Sequence, residues 1–114
     1  NEAMDFSKDG KSGKLVLCDL EIDDRKVLSD LSDHIKDKIK TGVVVVVGKS
    51  DKANPIIVGV SKDLIPGIKA GDILKQVAGV MGGKGGGRPE FAQGSAPDRG
   101  QLNKAFETAK QLLQ

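Results

Sequence analysis

The chain has 114 residues, room for one small domain with one core. Aromatic residues make up 3%, with no Trp or Tyr, so the core must be aliphatic, and the single cysteine, Cys18, excludes an internal disulfide and fits a reducing compartment. The net charge of +2 predicts solubility and little else, but it is unevenly spread: residues 1–40 carry 8 Lys/Arg against 10 Asp/Glu, and residues 41–114 carry 10 against 6.

Residues 1–13 are polar, with Gly10 and Gly13. They read as a flexible lead-in, a hairpin arm, or, before Met4, a fusion remnant, leaving 14–114 as the domain proper. "KLVLCDLE" (Lys14 to Glu21) reads as a short strand that buries Cys18 as an inert thiol. "DDRKVLSDLSDHIKDKIK" places Val27, Leu28, Leu31, Ile35 and Ile39 at helical spacing. Asp23 or Asp24 can cap that helix, and Lys36, Lys38 and Lys40 suit the negative end of its dipole. "VVVVV" (Val43 to Val47) lacks alternation, which predicts a strand buried on both faces of a sheet sandwiched between helices.

"PIIVGVS" (Pro55 to Ser61) is the next strand, antiparallel to the last if the short link between them makes a hairpin. Pro66 and Gly67 bar a long helix in the connector that follows. "DILKQVAGVM" (Asp72 to Met81) turns Ile73, Leu74, Val77, Ala78 and Met81 to one face of a helix. A glycine loop follows, and a last helix from about Pro97 to Leu113 turns Leu102, Ala105, Phe106, Ala109, Leu112 and Leu113 inward. The expected fold is a single small α/β domain, a short mixed sheet flanked by helices, in the order β-α-β-β-α-loop-α. No apolar run approaches the ~18 residues of a membrane span. No signal peptide pattern opens the chain, so a cytoplasmic protein without a membrane partner is expected.

Two stretches look like nucleotide loops and fail on spacing. "TGVVVVVGKS" ends in Gly48-Lys49-Ser50, but five residues separate Gly42 from Gly48 where a P-loop needs four, and five valines cannot aim amides at a phosphate. No glycines within Gly82 to Gly87 fit the dinucleotide fingerprint, and Lys84 is followed by Gly85 rather than Ser or Thr. The composition of that loop still points to an anion. Gly82, Gly83, Gly85, Gly86 and Gly87 could alternate φ signs and turn their amides inward as a nest. Lys84 would add a point charge and Arg88 a two-pronged grip. A plain interhelix linker is the alternative.

Catalysis has little support. His34, the only histidine, falls at the edge of a helix's apolar face, no Cys/His cluster has metal-ligand spacing, and Asp23, Asp24, Asp30 and Asp33 read as a solvated polar face.

The stretch "GVSKDLIPGIKAGDILKQVAGVMGGKGGGRPEFAQG" (Gly59 to Gly94) closely resembles the C-terminal domain of alanyl-tRNA synthetases, the bacterial-type enzymes in particular. "GGKGGGRPEFAQG" is its specific part, and "KLVLCDLE", "DLSDHIKDKIKTGVVVVVG" and "LNKAFETAKQLL" extend it over residues 14–113. The same fold family is the DHH-associated domain of certain exonucleases and oligoribonucleases. The resemblance implies a non-catalytic module that grips the elbow of tRNA-Ala. Its parent would esterify tRNA with alanine, using ATP, and hydrolyse mischarged Ser- and Gly-tRNA. No cofactor is implied for this piece; ATP and zinc would be bound by other domains of the parent, which are implied partners, as is a second copy in a homodimer. Some free-standing editing proteins carry a similar domain. The phosphoesterase branch shows Gly-Gly-Gly-His, whereas here Arg88 follows Gly85-Gly86-Gly87, which favours a synthetase-type domain over a substrate clamp.

The expected RNA-binding set is therefore Gly82 to Gly87 with Lys84 and Arg88, joined by Lys75, Arg99 and Lys104 on helices flanking the loop, and Phe91 as a stacking platform. A protein–protein or dimerisation module, with a structural glycine loop, is the reading from another class.

Overall fold

The structure, a computed structural model, describes residues 2–8, 10–65 and 67–113. Pro66, expected to bar a helix, lies outside the described residues, as do Asn1 and Asp9 of the lead-in. The described chain forms β1 (Glu2–Lys8), β2 (Lys11–Asp19), α1 (Arg25–Ile39), β3 (Gly42–Val47), β4 (Asn54–Val60), α2 (Ala70–Val80), β5 (Lys84–Gly87), β6 (Phe91–Ala96) and α3 (Leu102–Leu112). The six strands make one mixed sheet in the order β1-β2-β3-β4-β6-β5. Only β2 and β3 run parallel, joined by the crossover through α1; all other neighbours are antiparallel.

The expected order survives as β2-α1-β3-β4-α2-α3. To it the structure adds β1 and, in place of the glycine loop, the hairpin β5–β6. The segment expected as a lead-in or hairpin arm pairs with β2 from Glu2 against Leu17 to Lys8 against Lys11.

Val43 to Val47 are all fully buried, as their lack of alternation predicts. Val43, Val45 and Val47 meet α2 and α3 in one core; Val44 and Val46 meet α1 in a smaller one with Val16, Cys18, Leu28 and Ile57. Burial also raises the thiol pKa of Cys18.

The apolar face of α1 is rotated from the expected one. Leu28 and Ser32 are buried, Leu31, Ile35 and Ile39 half-buried, and Val27 is 45% exposed. Asp24 caps this helix, its carboxylate accepting from the amides of Lys26 (2.9 Å) and Val27 (3.4 Å). The inward residues read for α2 are all buried. The last helix starts later than Pro97. The Asp98 amide donates to the carbonyl of Met81 at 3.0 Å, which pins this segment to the end of α2. A single 3-10 turn, Arg99–Gln101, then leads into α3.

Candidate nucleic-acid interface

The glycine run is built differently from the expected nest. A nest needs alternating φ signs, and of these glycines only Gly82 has a positive φ, +77°. Gly82 closes α2: its amide donates to Gly79 at 3.1 Å and that of Gly83 to Ala78 at 2.8 Å, the Schellman pattern. Lys84 to Gly87 then run extended as edge strand β5, paired with Ser95 to Ala92 of β6.

Most of these glycines are required by packing. A Cβ on Gly83 would stand 2.0 Å from the carbonyl oxygen of Ser95, and one on Gly87 2.5 Å from that of Phe91. One on Gly85 would meet Gly94 Cα at 2.5 Å and Leu74 Cδ2 at 2.9 Å. Gly83 and Gly87 let β5 lie close against β6, and Gly85 also lets α2 lie directly on β5. Gly86 is different, because a Cβ there would meet nothing within 4 Å. Its backbone borders open space.

Arg88 and Phe91 close the hairpin, the amide of Arg88 donating to Phe91 at 2.8 Å and the return bond measuring 3.3 Å. The turn is tied to α2, whose first amide, Ala70, donates to Pro89 at 2.7 Å. Between them lies a cleft of about 250 Å³ lined by Lys69, Gly71, Asp72, Lys75, Gly86, Gly87, Arg88 and Pro89. Lys69, Lys75 and Arg88 are exposed, so three cations face one acid, Asp72, beside the N-terminus of α2, which itself favours anions. A second recess of about 210 Å³ lies across the hairpin, lined by Gly86, Gly87, Arg88, Phe91, Ala92 and Gln93. Phe91 is half-buried against the α1-side core.

The structure thus brings Lys75, Arg88, Gly86 and Gly87 together in the first cleft, and Arg88, at the end of the hairpin, also lines the second recess with Phe91. Lys84 is exposed at the start of β5. Arg99 is placed elsewhere: its guanidinium pairs with Asp19 and donates to the carbonyl of Leu20 at 3.3 Å, which ties the start of α3 to the end of β2. Lys104 is exposed on α3, a helix that packs on α2. Sequence reasoning missed Lys69, whose signal was its place just before the apolar face of α2 begins. His34 is exposed, and among the described residues no three His, Cys, Asp or Glu side chains lie close enough to hold a metal ion. Among the described residues, no helix is long and apolar enough to cross a membrane.

The DHHA1 domain family model matches residues 12–114. Over 107 residues, 94% of this chain, the sequence is 61% identical to the alanine–tRNA ligase of Bdellovibrio bacteriovorus. It is 44% identical over 104 residues to that of Idiomarina loihiensis, 89% of this chain. In both cases it spans 12% of the ligase's length. The fold superposes on the C-Ala domain of Aquifex aeolicus alanyl-tRNA synthetase with a TM-score of 0.80 and 26% identity, covering 88% of this chain and 90% of that one. The chain belongs to the DHHA1 domain family, and its likeness within that family is to the C-Ala domain of alanyl-tRNA synthetases.

Proposed function

We propose that this domain binds tRNA for a cytoplasmic alanyl-tRNA synthetase, gripping the elbow of tRNA-Ala through the β5–β6 hairpin so that alanylation and editing act on one bound molecule. The observation that carries this reading is Gly86. Its neighbours in the run are glycine because the fold leaves no room for a side chain, whereas Gly86 borders open space between two recesses and beside Arg88. A flat backbone there suits close approach by a ligand. Arg88, Lys75 and Lys69 supply the charges that hold phosphate, with Lys84 at the near end of the strand. The chemistry with ATP, and any zinc, would belong to other domains of the parent.

The test is a salt titration of tRNA-Ala binding. Lys84→Ala with Arg88→Ala should weaken binding at least several-fold and flatten the salt dependence by about one to two contacts. Unchanged affinity at low salt would remove the hairpin from the interface.

The packing roles of Gly83, Gly85 and Gly87 favour one element of a second reading, an interaction or dimerisation module with a structural glycine segment. Sedimentation separates the two: a stable dimer that does not bind tRNA supports the second.

A further inference from the structure

On the other side of the sheet, unpaired positive charge gathers at the end of α1. A cleft of about 380 Å³ there is lined by Lys36, Asp37, Lys40, Ser61 and Lys62. Among the described residues, none of these three lysines takes part in an ion pair. The other nearby acid, Asp63, is engaged by the hydroxyl of Thr41 at 2.5 Å. The helix dipole accounts for lysines in the last turn of α1, but Lys62 belongs to a different segment, Lys62–Leu64.

The backbone at Lys40 is strained. It has φ 67° and ψ −61°, and the amide of Thr41 donates to the carbonyl of Ile39 at 2.7 Å, which makes a γ-turn of the rare positive-φ kind. Glycine takes such a φ freely, yet a lysine stands here. Lys40 is also the C-cap of α1, so the turn that ends the helix sets this side chain beside the basic cleft.

This cleft also lines up with the hairpin. Gly59 of β4 pairs with Phe91, and Phe91 with Arg88, so the three form one row across the sheet. A Cβ on Gly59 would stand 3.0 Å from Ser32 Oγ and 3.9 Å from Lys36 Nζ, so the ammonium of Lys36 reaches over the inner end of that row. Ser32 Oγ is fully buried and has no hydrogen-bond partner among the described residues. Two strand spacings, about 10 Å, separate the backbone of Arg88 from that of Gly59. Cations at both ends of one row suit a polyanion with successive phosphates better than a single small anion.

We infer that Lys36, Lys40 and Lys62 form a second RNA-phosphate anchor, across Phe91 from the glycine hairpin. The inference rests on the tRNA-binding reading and extends it to a second set of residues. RNA would lie along the α1 side of the sheet, with Arg88 and the lysine cleft holding separate phosphates.

The test compares four forms of the 114-residue chain in salt titrations with a tRNA-Ala transcript: wild type, Lys84→Ala/Arg88→Ala, Lys36→Ala/Lys40→Ala/Lys62→Ala, and Lys26→Ala/Lys49→Ala/Lys52→Ala. The last removes the same charge at the opposite end of α1. The cleft variant should lose about tenfold or more in affinity at low salt, with its log–log salt slope smaller by about two. The charge control should stay near wild type. A cleft variant equal to wild type, or to the control, overturns the anchor while a weakened hairpin variant still upholds the function proposed above. A wild-type chain that does not bind overturns both. If the triple variant does not fold, Lys40→Gly with Lys62→Ala, which keeps the packing of Lys36, takes its place and must show the same direction of change.

Discussion

Gly85 and Leu74 are separated by the space of one missing methyl group: a Cβ on Gly85 would lie 2.9 Å from Leu74 Cδ2. This contact joins α2 to the edge strand and so fixes the walls of the cleft that holds Lys69, Lys75 and Arg88. Gly85→Ala also presses on the backbone of β6, and it should destabilise the domain by about 1–3 kcal/mol, seen as a lower urea midpoint. Gly86→Ala has open space and an extended backbone. It should leave stability unchanged or raise it by up to about 1 kcal/mol, while reducing tRNA affinity. A Gly86→Ala variant that binds as wild type would show that nothing approaches this backbone.

Arg99 pairs with Asp19 and donates to Leu20, and its side chain is 22% exposed. Its task is to hold the start of α3 on the end of β2. Arg99→Ala should cost about 1 kcal/mol of stability, an amount limited by the partial exposure of the pair. Its tRNA affinity should match wild type. Arg99→Lys should recover only part of the stability, since a flexible, strongly hydrated ammonium is less preorganised for both acceptors than the planar guanidinium. Weakened tRNA binding with unchanged stability would return Arg99 to the interface.

The γ-turn at Lys40 sets stability against binding. Lys40→Gly should relieve the backbone and raise stability by up to about 1 kcal/mol, after the extra freedom of glycine in the unfolded chain is counted. The same substitution should weaken tRNA binding. Thermal unfolding and the titration, run on one preparation, check both signs.

Asp63 has its pKa held below the ordinary carboxylate value, first by the hydroxyl of Thr41, then by that of Ser61 and, more weakly, by the charge of Lys11. A depressed folded-state pKa stabilises the fold above the unfolded-state value and loses that effect as pH falls through the folded one. The contribution therefore disappears in the acid range below the ordinary value of 3.8. Thr41→Val removes the leading cause, so an NMR titration should show the Asp63 pKa rising toward 3.8. An unmoved titration would assign the shift to the remaining partners.

Cys18 is 1% exposed, and burial raises its thiol pKa, which disfavours the reactive thiolate. A disulfide reagent should therefore modify it only at the rate of unfolding, and modification should speed up in urea. Rapid labelling of the native chain would show that β2 opens locally.

Much of the fold was written in local patterns. Five valines without alternation specified a strand covered on both sides, because each of its faces must be buried. The spacing of Ile73, Leu74, Val77, Ala78 and Met81 specified the buried face of α2, because neighbours three and four apart share a helix surface. "GGKGGGRPEFAQG" marked the family and drew attention to Lys84 and Arg88. The face of α1 was less legible, because Ser32 is polar and yet is the side chain that meets Gly59.

The tertiary structure alone decided what the glycines do. The contacts that exclude side chains at Gly83, Gly85 and Gly87 come from β6 and α2, so no local rule could separate them from Gly86. It also decided which cations stand together. Arg99 finds Asp19 eighty residues away, and Lys69 joins Arg88 only because Ala70 bonds to Pro89. Periodicity is a property of near neighbours and can be read along the chain. Register and charge pairing across strands depend on distant backbone, and they are fixed only when the sheet closes.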